Sequence, residues 1–221
     1  MNRVLLDEKY YDSQEVINQL KEQVLPQRLE RISKVIDHRN KNLVTVMENI
    51  YDRGNTSAVM RSAEAFGFYN FHQIIISDEF KESKRVTQGA DKWLLQQLWP
   101  STTDCIKSLK ESGHKVYVTH LEGGIPLDKA DFSQPVALCF GNERDGASEE
   151  LTSLADEKVF IPMQGFVQSF NISVAAALCF QIAHQKFSEN SPQKLSDEER
   201  HQLLALYLYR SCKNPVLPAP L

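Results

Sequence analysis

Apolar runs of strand length alternate with stretches of helical period along most of this chain, and that alternation limits its possible folds more than any other feature. Strands are expected at Leu43–Met47, Phe71–Ser77, Lys115–Thr119, Val136–Phe140 and Lys158–Ile161. Helices are expected at Thr56–Phe66, Thr102–Ser112 and Ser148–Ala155, with a long one from Ile172 to about Phe187. Strands joined by whole helices pair in parallel rather than as hairpins, and both faces of the sheet are then covered. The chain therefore reads as an α/β protein on a parallel sheet. Upstream, residues 12–24 fit an amphipathic helix with Val16, Ile17, Leu20 and Val24 on one side. Pro26 opens a second helix whose apolar stripe is Leu29, Ile32, Val35 and Ile36, while Arg28, Arg31, Lys34 and Arg39 line its other faces. After the polar stretch Ser188–Lys194 a last helix is expected at about Asp197–Tyr209, and the proline-rich end should be extended or loose.

A length of 221 residues with 42% hydrophobic residues suits one medium domain with terminal extensions. The formal charge of -4 gives no general attraction for nucleic acid, so any such contact must come from a local patch such as the basic second helix. Cys105, Cys139, Cys179 and Cys212 form no C-x-x-C pair, which points to reduced thiols, and His38, His72, His114, His120, His184 and His201 lack ligand spacing, so no metal is expected. The N-terminus reaches acidic residues before a signal core could form, and no apolar run approaches a membrane span, which predicts a soluble cytoplasmic protein. Dinucleotide-binding, P-loop and nucleophile-elbow glycine motifs are all missing, which disfavours dehydrogenases, P-loop NTPases and serine hydrolases.

Three polar loops, each following a strand and opening a helix, carry the chemistry. In Glu48–Gly67, Asn55 falls where the helix begins, and Arg61 stands on the side of Ser57 and Ala58, able to point toward a pocket. In Val136–Glu150 a buried strand delivers Gly141, Asn142 and Glu143 to its carboxyl end, where open α/β sheets bind ligands, and Ser148 opens a helix. In Ile161–Ala177, Gly165 permits close approach of the backbone, while Ser169 and Asn171 can cap the helix or face a substrate. That helix is apolar on nearly every face from Ile172 to Ala183 and is expected to be buried. In a parallel sheet the three loops would meet at one edge. Taken singly, Asn55 could be an ordinary N-cap, Arg61 a solvated arginine and Asp145-Gly146 a plain turn.

Together these segments resemble the three motifs of the SpoU, or TrmH-like, branch of the SPOUT methyltransferases, over roughly residues 26–187. Motif one resembles Asn55–Gly67, motif two Leu138–Glu150 and motif three Ile161–Ala177. The resemblance implies a parallel-sheet SPOUT fold with a C-terminal deep trefoil knot, flanked by N- and C-terminal helices. It divides the chain into an extension at 1–25, the methyltransferase domain at 26–187, and a helix with tail at 188–221. It implies transfer of a methyl group from S-adenosylmethionine to a ribose 2′-hydroxyl of RNA by a homodimer. The arrangement Arg28-x-x-Arg31 through Arg39, with Gly89-Ala-Asp-Lys-Trp93, resembles the subgroup acting on guanosine 18 of the tRNA D-loop.

Carried onto this sequence, the resemblance places Arg61 in the catalytic position with Asn55, Glu143, Ser169 and Asn171 around it, and Thr119, Gly141, Ile161 and Phe170 at the methyl donor. RNA would be held by Arg28, Arg31, Lys34 and Arg39. The chain departs from that subgroup in its extra first 25 residues and in a C-terminal part poor in basic residues. Methylation of ribosomal RNA or another tRNA ribose, and a non-catalytic RNA-binding protein of the same fold, are the competing readings.

Overall fold

The computed structural model describes residues 2–76, 89–121, 123–189 and 194–221. The expected strand end at Ser77 and residues 190–193 of the polar stretch lie outside them. In chain order the elements are β1 (Arg3–Leu6), β2 (Lys9–Asp12), α1 (Ser13–Leu20), α2 (Pro26–Asp37), β3 (Asn40–Glu48), α3 (Arg53–Ala65), β4 (Phe68–Ile74) and β5 (Leu95–Trp99). Then follow α4 (Thr102–Glu111), β6 (Lys115–Thr119), β7 (Ile125–Pro126), β8 (Val136–Phe140), α5 (Glu149–Leu154), β9 (Glu157–Phe160), α6 (Ile172–Glu189) and α7 (Asp197–Ser211). They form two compact units, one from the first 39 residues with 194–221 and one from residues 40–193.

In the first unit β1 and β2 form an antiparallel hairpin that the sequence pattern did not reveal. Its turn is Asp7-Glu8, with φ of 45° and 64°, a left-handed pair usually signalled by asparagine or glycine and here made by two acids. Val4, Leu6, Val16, Ile17 and Leu20 are buried with Leu203, Leu206 and Leu208 of α7. Asp12 caps α1 by accepting from the Glu15 amide at 2.9 Å, and Ser196 and Glu199 form a reciprocal capping box on α7. The C-terminal tail is extended as expected, but it is tied down: the Leu221 amide donates to the Tyr10 carbonyl at 2.8 Å and the Val216 amide to Gln23 at 3.2 Å.

The second unit contains, among the described residues, a seven-stranded sheet in the order β5-β4-β3-β8-β6-β9-β7, and its neighbouring strands all run parallel. The two-residue side-chain period sorts β3, β6 and β8 onto two apolar faces. On one face Val44, Val46, Val116, Val118, Ala137 and Cys139 meet Cys105, Ile106 and Leu109 of α4 and Leu151 of α5. On the other, Phe68, Tyr117 and Phe140 join Phe132, Phe180 and Phe187 in tilted and edge-to-face contacts, with centroids 5.3 to 6.3 Å apart. β5 lies between Ser77 and Thr102, where the sequence pattern assigns no element; its side chains are largely exposed, as befits an edge strand with weak apolar patterning.

Two expectations need correction. The helix α6 buries Ala176, Cys179, Phe180, Ala183 and Phe187, yet Val174 and Leu178 remain 47% and 38% exposed, since none of the described residues covers their side. The helix α3 begins at Arg53 under an Asp52 cap, whose carboxylate accepts from the Gly54 amide at 2.7 Å. Asn55 is therefore inside the first turn and its side chain is released from capping. Cys105, Cys139 and Cys179 are buried free thiols, and burial pushes Cys179 up to about 12.

At the end of β3 the carboxylate of Glu48 is 1% exposed. It accepts from Thr102 Oγ1 at 2.7 Å, the Ser148 amide at 2.9 Å and Ser148 Oγ at 2.8 Å. Thr102 opens α4 and Ser148 caps α5, so one carboxylate serves the positive ends of two helices. Replacing Glu48 by Ala strands these donors and is expected to cost about 3 kcal/mol of unfolding free energy in urea titration, and Glu48→Gln about 1 kcal/mol.

Burial, then His114, holds His72 down to about 4, and its Nδ1 accepts from Trp99 Nε1 at 3.2 Å, which requires the neutral ring. A base whose folded value lies below its ordinary 6.5 favours folding fully above pH 6.5 and loses that contribution as pH falls toward about 4. We expect stability to drop by up to about 3 kcal/mol across this window, and His72→Gln to flatten the profile; an unchanged slope would contradict this environment.

Candidate functional site

Parallel strands deliver their carboxyl ends to one edge of the sheet, and the three polar loops leave from β3, β8 and β9 there. The loop after β8 is shaped by its own backbone. Asn142 and Gly146 exchange amide-to-carbonyl bonds of 3.0 and 3.1 Å. Asn142 Oδ1 accepts from the amides of Arg144 and Asp145 at 2.9 and 2.8 Å. A Cβ at Gly141 would lie 2.0 Å from the Ala147 nitrogen, so the ring closes only over glycine. The loop thereby presents Glu143 and Arg144 outward.

Glu143 fastens this loop to the one after β3. Its Oε1 accepts from Asn55 Nδ2 at 2.9 Å and from the Asp52 amide at 3.3 Å, and its Oε2 from the Tyr51 amide at 3.2 Å. Asn55 Oδ1 in turn accepts from Asn171 Nδ2 at 3.2 Å, which brings in the third loop. Asn171 takes the capping position of α6, its Oδ1 accepting from the Ser173 amide at 2.9 Å and Ser173 Oγ at 2.6 Å. An unbroken run of side-chain hydrogen bonds thus links Glu143, Asn55 and Asn171, residues 88 and 116 positions apart.

Beside this run lies a cavity of about 820 Å³ walled by the ends of β6, β8 and β9 and the start of α6. Thr119, Gly141, Ile161 and Phe170 all line it, as do Glu143, Ser169 and Asn171. Thr119 Oγ1 donates to the Cys139 carbonyl at 3.1 Å and so closes the wall between β6 and β8. Apolar Phe140, Val159 and Met163 complete a lining that is neither wholly apolar nor charged.

Arg61 stands apart from the cavity wall. It is exposed on α3, and among the described residues no carboxylate pairs with it. Its six-residue separation from Asn55 turns it about 120° around the helix axis. Arg28, Arg31 and Lys34 are exposed on α2 in the first unit, with Lys34 paired to Glu30 at 2.6 Å. Arg39 differs from them: it is 7% exposed, and its Nε donates to the Tyr207 hydroxyl at 3.0 Å. A guanidinium so enclosed serves its own unit's core rather than an open basic face. Sequence reading placed Asn142 at the strand end without its loop-closing role, and it passed over Glu48 and Tyr51, whose parts depend on partners distant in the chain. Among the described residues no group of three His, Cys, Asp or Glu could hold a metal ion.

The family model described as SpoU rRNA methylase matches residues 42–181. The tRNA (guanosine(18)-2′-O)-methyltransferase of Thermus thermophilus is 35% identical over 72% of this chain and 83% of its own length. A crystal structure of the A. aeolicus TrmH/SpoU tRNA modifying enzyme superposes with a TM-score of 0.75 at 29% identity, covering 84% of this chain and 96% of that one. The SpoU methyltransferase AviRb from Streptomyces viridochromogenes, solved in complex with AdoMet, gives a TM-score of 0.58 at 25% identity, covering 72% and 62%.

The capping role of Asn171 sets an expectation: Asn171→Ala lowers unfolding free energy by about 1 kcal/mol, while Asn171→Asp, which keeps the acceptor, loses less. Equal urea midpoints for Asn171→Ala and wild type would refute it.

Proposed function

The chain belongs to the SpoU rRNA methylase family, and from that premise we propose that it methylates a ribose 2′-hydroxyl of tRNA, at guanosine 18 of the D-loop, with S-adenosylmethionine as donor. The observation that carries the reading is the hydrogen-bonded run Glu143–Asn55–Asn171, which joins three loops beside a cavity of cofactor size. The substrate rests on the activity of the Thermus thermophilus relative, and the donor on the AdoMet complex of AviRb.

The cavity fits that donor. Ile161 and Phe170 offer apolar surface, while Thr119, Gly141 and Ser169 bring hydroxyl and backbone groups to the same wall, suiting a molecule with an aromatic base, a sugar and an amino-acid tail. Bound there, S-adenosylmethionine supplies an electrophilic sulfonium methyl group. Asn55 and Asn171, locked by their mutual hydrogen bond, orient the ribose. Glu143 holds the loop after β3 through three donors, so its part is to shape the pocket.

Arg61 manages the charge that develops on the 2′-oxygen. A guanidinium is always protonated and makes a poor base, so it stabilises the incipient alkoxide while a phosphate takes the proton. RNA is further gripped by the exposed cations Arg28, Arg31 and Lys34 on α2.

The reading includes the trefoil knot and the homodimer. The place of β8 between β3 and β6, with β9 beyond, supports the knot. Exposed Phe170, Val174 and Leu178, spaced by four residues and continuing from Phe166 and Val167, support a second copy covering α6.

Purified protein, S-adenosylmethionine and unmodified tRNA transcript should yield 2′-O-methylation at guanosine 18. Arg61→Ala is expected to reduce transfer about a hundredfold without changing donor affinity. Near-normal turnover in that variant would remove Arg61 from its role, and no transfer by the wild-type protein would sink the reading.

A further inference from the structure

At the rim of the cavity the Arg144 guanidinium lies over the Tyr51 ring, its Cζ 4.6 Å from the centroid. The two residues come from different loops, 93 positions apart, and both loops are held by groups already described: the Tyr51 amide donates to Glu143 and the Arg144 amide to Asn142. The pair is therefore built on the rigid part of the site. Arg144 is exposed, and among the described residues no carboxylate forms an ion pair with it. Neighbouring Glu143 turns its oxygens to three N–H donors of the other loop and forms no ion pair with Arg144. The ring restrains the planar cation while leaving its edge, with the N–H donors, open to an anion.

Two oxyanions come to this site under the proposed function, the carboxylate of the methyl donor and the phosphates of the RNA. Arg144 contributes to the cavity rim, but its guanidinium rests on Tyr51, which is not part of the cavity wall. The charge is thus carried to the outer side. In a polynucleotide the carbon next to the one bearing the 2′-hydroxyl carries the 3′-phosphodiester, so placing the sugar oxygen also means placing that phosphate. A guanidinium edge matches two phosphate oxygens at once.

We propose that Arg144, steadied across Tyr51, grips the phosphate next to the target ribose and sets the position of its 2′-oxygen. This rests on the reading of the chain as an RNA 2′-O-methyltransferase. Tyr51 acts through Arg144 and is a positioning residue.

The test measures tRNA binding by the whole protein across a salt series, with methyl transfer and S-adenosylhomocysteine affinity alongside. Arg144→Ala should weaken tRNA binding about tenfold at low salt and reduce the slope of log K against log salt by about one, the signature of one lost phosphate contact. KM for tRNA should rise and S-adenosylhomocysteine affinity stay unchanged. Tyr51→Phe, which keeps the ring, should behave as wild type, and Tyr51→Ala should raise KM severalfold. Arg144→Lys should retain the salt slope, since the charge remains, with a higher KM. An unaltered slope and KM in Arg144→Ala, where the wild type methylates tRNA, overturns this contact alone; so does a loss of S-adenosylhomocysteine affinity in place of RNA affinity. A wild-type protein that transfers no methyl group to tRNA overturns the contact together with the function on which it rests.

Discussion

Two carboxylates at the ends of neighbouring strands each hold the other strand's loop, and the site depends on that exchange. Glu48, at the end of β3, receives the amide and hydroxyl of Ser148 from the segment after β8. Glu143, just beyond β8, receives the amides of Tyr51 and Asp52 and the side chain of Asn55 from the segment after β3. The first bond set is buried and the second is exposed. The inner carboxylate fixes where the helices begin, and the outer one fixes how the loops meet. Neither loop has regular structure to hold it, so these side chains do what a ladder would do in a strand.

From that clasp the hydrogen bonds run on through Asn55 to Asn171 and into the cap of α6. A bond that caps a helix and also orients a neighbouring amide couples the wall of the cavity to the polar groups facing it. The cavity then inherits the rigidity of the sheet beneath it. Functional groups placed by rigid elements lose less entropy when a substrate is seated, which is where much of the rate of a two-reactant transfer originates. Cations are distributed differently. Arg61 and Arg144 lie outside this run with no carboxylate partner among the described residues, whereas Arg39 is enclosed against Tyr207. A chain of net charge -4 can therefore still present positive charge where an anionic polymer would meet it.

Periodicity located most elements to within a few residues. β6 at Lys115–Thr119 and β8 at Val136–Phe140 match the expected bounds, because each is a short apolar run between clear polar breaks. α3 began three residues earlier than expected, since Asp52 rather than Asn55 caps it, and both residue types are good caps. The hairpin β1–β2 escaped because its turn uses Asp7 and Glu8 in left-handed conformations without the usual signal. β5 escaped because an edge strand need not alternate strongly.

The sequence by itself determined that strands and helices alternate, that the sheet is therefore parallel, and that polar loops follow three of its strands, because each of these is written in windows of ten or so residues by side-chain period and capping chemistry. Only the tertiary structure decided that Glu143 meets Asn55, that Arg144 lies on Tyr51, and that Arg39 is buried while Val174 and Leu178 are not. Those outcomes depend on which distant segments meet: strand order sets β8 beside β3 across nearly a hundred residues of chain, and α7 brings Tyr207 to Arg39, information that no local pattern carries.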